Sequence, residues 1–219
     1  MGEAELHKDS SKLIIHSDFY FYGDAASAEM AAAIAADIAN HWNEPRGTAR
    51  HRRTLLAVEF VINGFYVPGL LPETVWYNTD PRNNYFRIEE FSLAHVSFVD
   101  AINCNTGYFK LDNLLNNSTT AAHEYGHTIG LDHPQTLDIR GKGQPGIMYP
   151  RGTVCDPGFQ YDPEAEPLKA GGTLNPFNRK VLQQDIDLLK LDKLNLNREG
   201  IAVLGGFSSI YHEKHSAPQ

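Results

Sequence analysis

The sequence predicts an α+β fold, from the pattern of its apolar residues and from its composition. The first half contains several segments rich in β-branched and aromatic residues, which are typical of strands. Three other segments carry apolar residues at the spacing of an amphipathic helix. The chain has 219 residues, of which 42% are hydrophobic and 21% are charged, and these values disfavour a disordered or fibrous protein.

The strand candidates differ in length and clarity. Residues 12–22 form the clearest one, because β-branched and aromatic side chains follow one another almost without a break. Residues 54–67 form a longer candidate, with an expected interruption at Asn63-Gly64. The further candidates are residues 74–79, 85–89, 95–99, 108–111 and 201–211. Residues 1–11 are expected to be flexible.

Helices are predicted at residues 25–42, 114–131 and 178–194. Asp24 is the expected N-cap of the first helix, and Gly130 is expected to end the second. Residues 134–177 show no convincing regular element and hold much of the glycine and proline of the chain. A loop of this length inside a compact domain is usually functional or disordered.

Charge and composition exclude several classes of protein. The chain has 19 Lys and Arg against 27 Asp and Glu, a net charge of −8, which disfavours binding to nucleic acid. No apolar run approaches the roughly 20 residues of a membrane span. The first ten residues contain no secretory signal, so the protein is either cytosolic or has had its signal removed or replaced. Two cysteines, Cys104 and Cys155, exclude a disulfide-dense scaffold, and a bridge between them is left open.

One pattern of histidines, within residues 114–131 and just beyond, predicts a metal-binding site. His123 and His127 are four residues apart, so on a helix they lie on one face and can bind one metal ion together. Glu124 follows the first of them and can reach a metal-bound water without being a ligand. Gly130 permits a left-handed turn, after which His133 can return to the same metal as a third ligand.

Three protein ligands leave a fourth position for water, which is typical of a catalytic rather than a structural zinc site. Glycine and histidine at two further fixed positions make the pattern far rarer than a bare HExxH. The alternatives are a helix with three unrelated surface histidines and a structural or inactive metal site.

The pattern HExxHxxGxxH resembles the zinc signature of the metzincin metalloproteases. Downstream, Gly146-Ile147-Met148-Tyr149-Pro150 resembles the methionine turn of that clan, and a tyrosine directly after the methionine is similar to the matrixin branch, the matrix metalloproteinases. The predicted helix with Gln-Gln-Asp-Ile-Asp is similar to the C-terminal helix of matrixin catalytic domains. The resemblance covers roughly residues 12–194.

The resemblance implies a metzincin (zincin-like) fold. That fold has a twisted, mostly parallel five-stranded sheet with an antiparallel edge strand, packed on the active-site helix, and a C-terminal helix. The zinc helix and the methionine turn must meet across one cleft, so residues 1–219 are read as a single catalytic domain. Secretion and a monomeric state are further family expectations.

The resemblance also implies the activity, which is zinc-dependent cleavage of peptide or protein substrates. His123, His127 and His133 would hold one catalytic Zn²⁺, and Glu124 would act as the general base. Tyr149 and Pro150 would form a wall of the pocket for the residue after the scissile bond. The extended substrate would pair with an edge strand, which is residues 95–99 or 108–111, with the former preferred.

The chain also departs from the matrixin pattern. The interval from His133 to Met148 is longer, and its extra residues fall beside the expected cleft, so substrate preference is not carried over. The structural zinc of matrixins is not predicted, calcium has no recognisable spacing of ligands to support it, and no cysteine-switch propeptide is present. The alternatives to an active protease are a metal-stabilised binding module that does not cleave, and a toxin-like protease domain from a larger protein.

Overall fold

The computed structural model describes residues 1–116 and 118–216, in which one mixed sheet is flanked by helices. The strands are β1 (Gly2–His7), β2 (Lys12–Tyr22), β3 (Thr48–His51), β4 (Thr54–Tyr66), β5 (Asn83–Glu89), β6 (Phe98–Val99), β7 (Thr106–Lys110) and β8 (Ile201–Leu204). The α-helices are α1 (Ala28–Asn43), α2 (Pro72–Trp76), α3 (Thr120–Thr128) and α4 (Gln183–Leu188). Short 3₁₀ turns lie at Leu111–Asn113, Pro157–Phe159, Pro176–Asn178 and Leu191–Lys193.

The sheet combines parallel and antiparallel strands. Its main path runs β3-β4-β2-β5-β7-β6, in which β4, β2, β5 and β7 are parallel neighbours. The outer strands β3 and β6 are antiparallel to their neighbours. β1 pairs antiparallel with the first half of β2, and β8 pairs with β1. The α+β class is therefore confirmed. The expected mostly parallel sheet of five strands is not, because β1, β3 and β8 extend the sheet and, among the described residues, four of the seven strand pairings are antiparallel.

One face of the sheet packs on α1 and α3. Buried and partly buried residues alternate along β2, and its buried Phe19 stacks on Phe21 and contacts Tyr125 of α3 at 5.8 Å between ring centroids. Trp42 of α1 is fully buried, and its indole N–H donates to the carbonyl of Ala122 at 3.0 Å. The apolar contact and the hydrogen bond together fix α3 against α1 and the sheet.

The opposite face of the sheet is covered by α2 and by the C-terminal segment, residues 205–216. Tyr211 of this segment stacks on Tyr22, with 5.3 Å between the centroids. His212 Nε2 lies 2.8 Å from a carboxylate oxygen of Asp100, directly after β6. The C-terminal segment therefore crosses the sheet from β2 to the edge strand β6.

Several predicted elements differ from the observed ones at the start of the chain. Residues 1–11 are not a flexible end, because β1 pairs with two strands and buries Ala4. The N-cap of α1 is Ser27, whose hydroxyl accepts from the Met30 N–H at 3.1 Å, and not Asp24. Residues 74–79 do not form a strand, since Pro72 begins the short helix α2 there.

The later elements are shorter than predicted. Only Phe98–Val99 of residues 95–99 is a strand, and the helix expected at 178–194 reduces to α4 and a 3₁₀ turn. The helix predicted at 114–131 is regular only in α3, and Asn117 in its predicted first part lies outside the described residues. Residues 217–219 of the predicted single domain also lie outside them.

Two smaller expectations have an outcome as well. Cys104 and Cys155 are both free thiols, so the bridge left open by the sequence does not form. Within the described residues, no helix has the length and apolar character needed to cross a membrane.

Candidate metal site

Helix α3 places the first two histidines in the interior of the molecule. All nine residues of this helix are buried, including both imidazoles. The helix ends in a reversal at Gly130, whose φ of +108° lies in the region that favours glycine. A Cβ at Gly130 would also lie 2.7 Å from the side-chain oxygen of Asn103. This reversal brings His133 back to the face of the helix that carries His123 and His127.

The three predicted ligands converge. His133 Nε2 lies 3.1 Å from Nε2 of His123 and 3.2 Å from Nε2 of His127. Among the described residues, these three form the only group of three or more His, Cys, Asp or Glu side chains that could hold a metal ion. The structure thus brings together the ligands that the sequence pattern predicts.

Hydrogen bonds to main-chain oxygens fix the orientation of two of the rings. His123 Nδ1 lies 2.7 Å from the carbonyl of Ile147, and His127 Nδ1 lies 2.7 Å from the carbonyl of Leu131. Because a carbonyl only accepts, both Nδ1 atoms carry the proton, and the Nε2 lone pairs face His133. Burial, the largest cause, lowers the pKa of all three histidines, well below the ordinary value for His123.

The donor set fits a divalent transition metal. Three neutral imidazole nitrogens point their lone pairs at one small region, and a cation there would satisfy all three at once. The described part of the chain can therefore bind a metal ion at His123, His127 and His133.

Glu124 lies in the same cleft and has a perturbed carboxyl group. The side chain is 7% exposed, and burial raises its pKa to about 8. Arg179 and the main-chain N–H of Val99 oppose this increase. The cleft has a volume of about 390 Å³ and is lined by the following residues: Val96, Ser97, Phe98, Val99, Ala101, Ile102, His123, Glu124, His127, Asp132 and His133. The predicted general base and the three histidines therefore share one opening with strand β6.

The predicted methionine turn lies directly beneath the helix. Met148 is 1% exposed, and its sulfur would be 2.3 Å from a Cβ placed on Gly126. The carbonyl of the preceding Ile147 accepts the hydrogen bond from His123. The turn thus supports the histidine cluster both by packing and by a hydrogen bond to one imidazole.

Tyr149 and Pro150 continue from this turn. Tyr149 packs against the small cluster of Ile139, Cys155 and Leu174, which is the apolar centre of residues 134–177. Pairing of Gly146 with Lys180 and of Gln160 with Leu174 also holds this loop region in place. Tyr149 and Pro150 thus directly follow the turn whose Ile147 carbonyl binds His123. Their contact with a substrate stays a prediction.

Two residues of the site were not predicted from the sequence. Asp185 accepts from the Leu182 N–H at 2.8 Å and from the main chain of Ile147, so it ties α4 to the methionine turn. Arg179 is 5% exposed, and its Nη1 lies 3.0 Å from His123 Nδ1. Both residues lie far beyond His133 in the sequence, so no local spacing connects them with the histidine motif.

Comparison with known proteins adds no family to this geometry. No protein-family model matches the chain, and no curated protein matches it at a significant level.

Proposed function

We propose that the protein is a zinc-dependent endopeptidase of the metzincin type, similar to the matrixins. The observation that supports this most strongly is the meeting of three imidazole Nε2 atoms beside the buried carboxyl group of Glu124. The parallel strands, the antiparallel edge strand β6 and the adjacent helix α3 are compatible with a metzincin fold.

Zinc is the proposed metal because three neutral imidazoles with an open fourth position are typical of catalytic zinc sites. When bound, the ion supplies Lewis acidity, which polarises a carbonyl and lowers the pKa of a water molecule. His123 and His127 are held for this role by the carbonyls of Ile147 and Leu131. Glu124 takes the proton of the attacking water and passes it to the leaving amine.

Strand β6 is the proposed docking edge for an extended peptide. It pairs with β7 on one side and ends the main path of the sheet, and its residues line the cleft with Glu124. β7 lies between β5 and β6, so the second predicted docking strand, residues 108–111, is internal. The substrate strand would form main-chain hydrogen bonds with β6 and lie next to His123, His127 and His133.

The remaining parts of the proposal come from the resemblance. They are a substrate pocket walled by Tyr149 and Pro150, a monomeric state and secretion. Calcium is not part of the proposal, because the sequence shows no recognisable spacing of calcium ligands.

The direct test is the variant Glu124→Ala. It should keep one bound zinc by elemental analysis and lose cleavage of casein by about 10²- to 10⁴-fold, the usual contribution of a general base. Glu90→Ala, which alters an exposed carboxylate, is the matched control and should keep full activity. Full activity of Glu124→Ala would overturn the mechanism. Zinc binding without chelator-sensitive cleavage in the unaltered protein would favour the binding module instead.

A further inference from the structure

Arg179 carries a buried positive charge that has no ion-pair partner. Its side chain is 5% exposed, and among the described residues no carboxylate oxygen lies within 4.0 Å of it. Glu124 favours the protonated guanidinium from a distance but makes no ion pair with it. Burial of a charge is unfavourable unless other groups compensate it, so a cation at this place calls for an explanation.

The hydrogen bonds of Arg179 go to neutral oxygens only. Nε and Nη2 donate to Thr119 Oγ1 at 3.0 and 2.8 Å, Nη1 donates to the carbonyl of Tyr149 at 3.1 Å, and Nε also approaches the carbonyl of Pro176 at 3.3 Å. Neutral acceptors satisfy the hydrogen-bond donors of the guanidinium but do not neutralise its charge. These contacts place the guanidinium between the start of α3, the methionine turn and the end of residues 134–177.

The guanidinium also has hydrogen-bond donors to spare. Of its five N–H groups, one on each terminal nitrogen lacks an acceptor once the bonds to Thr119 and Tyr149 are counted. Nη1 is 3.0 Å from His123 Nδ1, but that nitrogen already donates to the carbonyl of Ile147 and cannot accept. Two N–H groups therefore have no acceptor, one on Nη2 and the one on Nη1 that faces His123 Nδ1, and a carboxylate has two oxygens that can accept from them.

The position of these donors fits the side chain of a substrate. Nη1 lies within 3.1 Å of both Tyr149 and His123, which are the proposed wall of the substrate pocket and a proposed metal ligand. A substrate side chain that packed against Tyr149 beside His123 would therefore lie near Nη1. In the proposed reaction, that side chain belongs to the residue directly after the scissile bond.

We infer that Arg179 is a specificity-determining residue that selects substrates with Asp or Glu directly after the scissile bond. The inference rests on the proposed endopeptidase function. A substrate carboxylate would accept from the two free N–H groups and neutralise the buried charge. An arginine guanidinium keeps its proton at neutral pH, so the group is a cation when the substrate binds.

The test uses the zinc-loaded protein and two peptides that differ only in Glu or Gln after the scissile bond. The Glu peptide should have the higher kcat/KM by about 10- to 100-fold, as expected for a hydrogen-bonded charge pair in a buried site. Arg179→Gln should reduce this ratio to about 1, and Arg179→Lys should keep part of it. Arg151→Gln, which removes an exposed arginine nearby, is the matched control and should keep the ratio.

A second measurement separates specificity from folding and from activity. In the inactive Glu124→Ala variant, the Glu peptide should bind more tightly than the Gln peptide by a similar factor, measured by fluorescence anisotropy. Equal cleavage and equal binding of the two peptides by protein with native Arg179 would overturn the inference, even if Arg179→Gln does not fold. In that case the protein would still cleave both peptides, and the endopeptidase proposal would stand. If no peptide were cleaved at all, the endopeptidase proposal itself would be contradicted.

Discussion

At the scale of single residues, the contact between Gly126 and Met148 shows how closely helix α3 approaches the turn beneath it. A Cβ on Gly126 would be 2.3 Å from the sulfur of Met148 and 3.3 Å from a ring carbon of Trp42, and both of these side chains are buried. Glycine is therefore required here for space and not for backbone conformation, since Gly126 lies inside a regular helix. Added volume at such a place forces neighbouring side chains to move.

We predict that Gly126→Ala lowers the free energy of unfolding by about 1–3 kcal/mol, the usual cost of overpacking. The loss should be much smaller when Met148 is replaced by Ala, because the clashing sulfur is then absent. Urea denaturation of the four members of this double-mutant cycle measures the coupling. Equal losses in both backgrounds would show that the sulfur does not limit the residue at position 126.

The residues of the candidate metal site could be predicted because their geometry is local. His123 and His127 are one helical turn apart, and Gly130 sets the reversal before His133. Arg179 and Asp185 could not be predicted in this way, because their contacts join segments that are distant in sequence. Their roles depend on how the chain returns to α3 after residues 134–177.

At the scale of elements, patterns within long strands were reliable and helix ends were not. The strand predicted at residues 12–22 is confirmed as β2 to the residue, because alternating burial on a central strand leaves a strong pattern. The cap of α1 was wrong by three residues, since Asp24 and Ser27 are both good caps and only the backbone decides between them. β1 was missed because its short, partly acidic sequence owes its structure to its pairing with β2 and β8.

The link between α4 and the methionine turn has a predictable dependence on pH. Burial raises the pKa of Asp185 from 3.8 to about 6, while the unfolded chain keeps the lower value. Between these values the folded protein binds the extra proton, so the free energy of unfolding falls as the pH rises. The contribution of this carboxyl group is thus fully present below pH 3.8 and is lost as the pH passes 6.

We therefore predict a pH-dependent difference between the unaltered protein and Asp185→Asn. The free energy of unfolding of the unaltered protein minus that of the variant should decrease by about 3 kcal/mol from pH 3.8 to above 6, at about 1.4 kcal/mol per pKa unit. Urea denaturation in metal-free buffer across this range measures it, and titration of the histidines cancels in the difference. A difference that stays constant or increases with pH would contradict the raised pKa.

At the scale of the whole molecule, the candidate metal site joins a sheet rich in regular structure to a loop region, residues 134–177, that has little. The sheet is held by strand pairing and by an aromatic core, whereas residues 134–177 depend on a small cluster and a few isolated bridges. His123 on α3 donates to Ile147 within this loop region, and His133 directly precedes it. An ion bound at the three histidines would therefore stabilise the loop region more than the sheet.

We predict that removal of the metal loosens residues 134–177 selectively. In Glu124→Ala, which prevents self-cleavage, a chelator should speed amide hydrogen exchange in this segment and leave β2, β4 and β5 unchanged, because local opening follows the least supported contacts. Restoring zinc to about 1,000 times its dissociation constant should add about 4 kcal/mol to the unfolding free energy.

Two further substitutions in the Glu124→Ala background test whether this response comes from the three histidines. His127→Ala should remove it, because two imidazoles then remain at the site. His41→Ala should keep it, since His41 lies on α1 and pairs with Asp37. Zinc protection that survives in His127→Ala, or that spreads evenly over the sheet, would mean that the ion binds elsewhere. Protection confined to residues 134–177 and dependent on His127 would place the metal where the two parts of the molecule meet, which is also where the proposed substrate pocket must form.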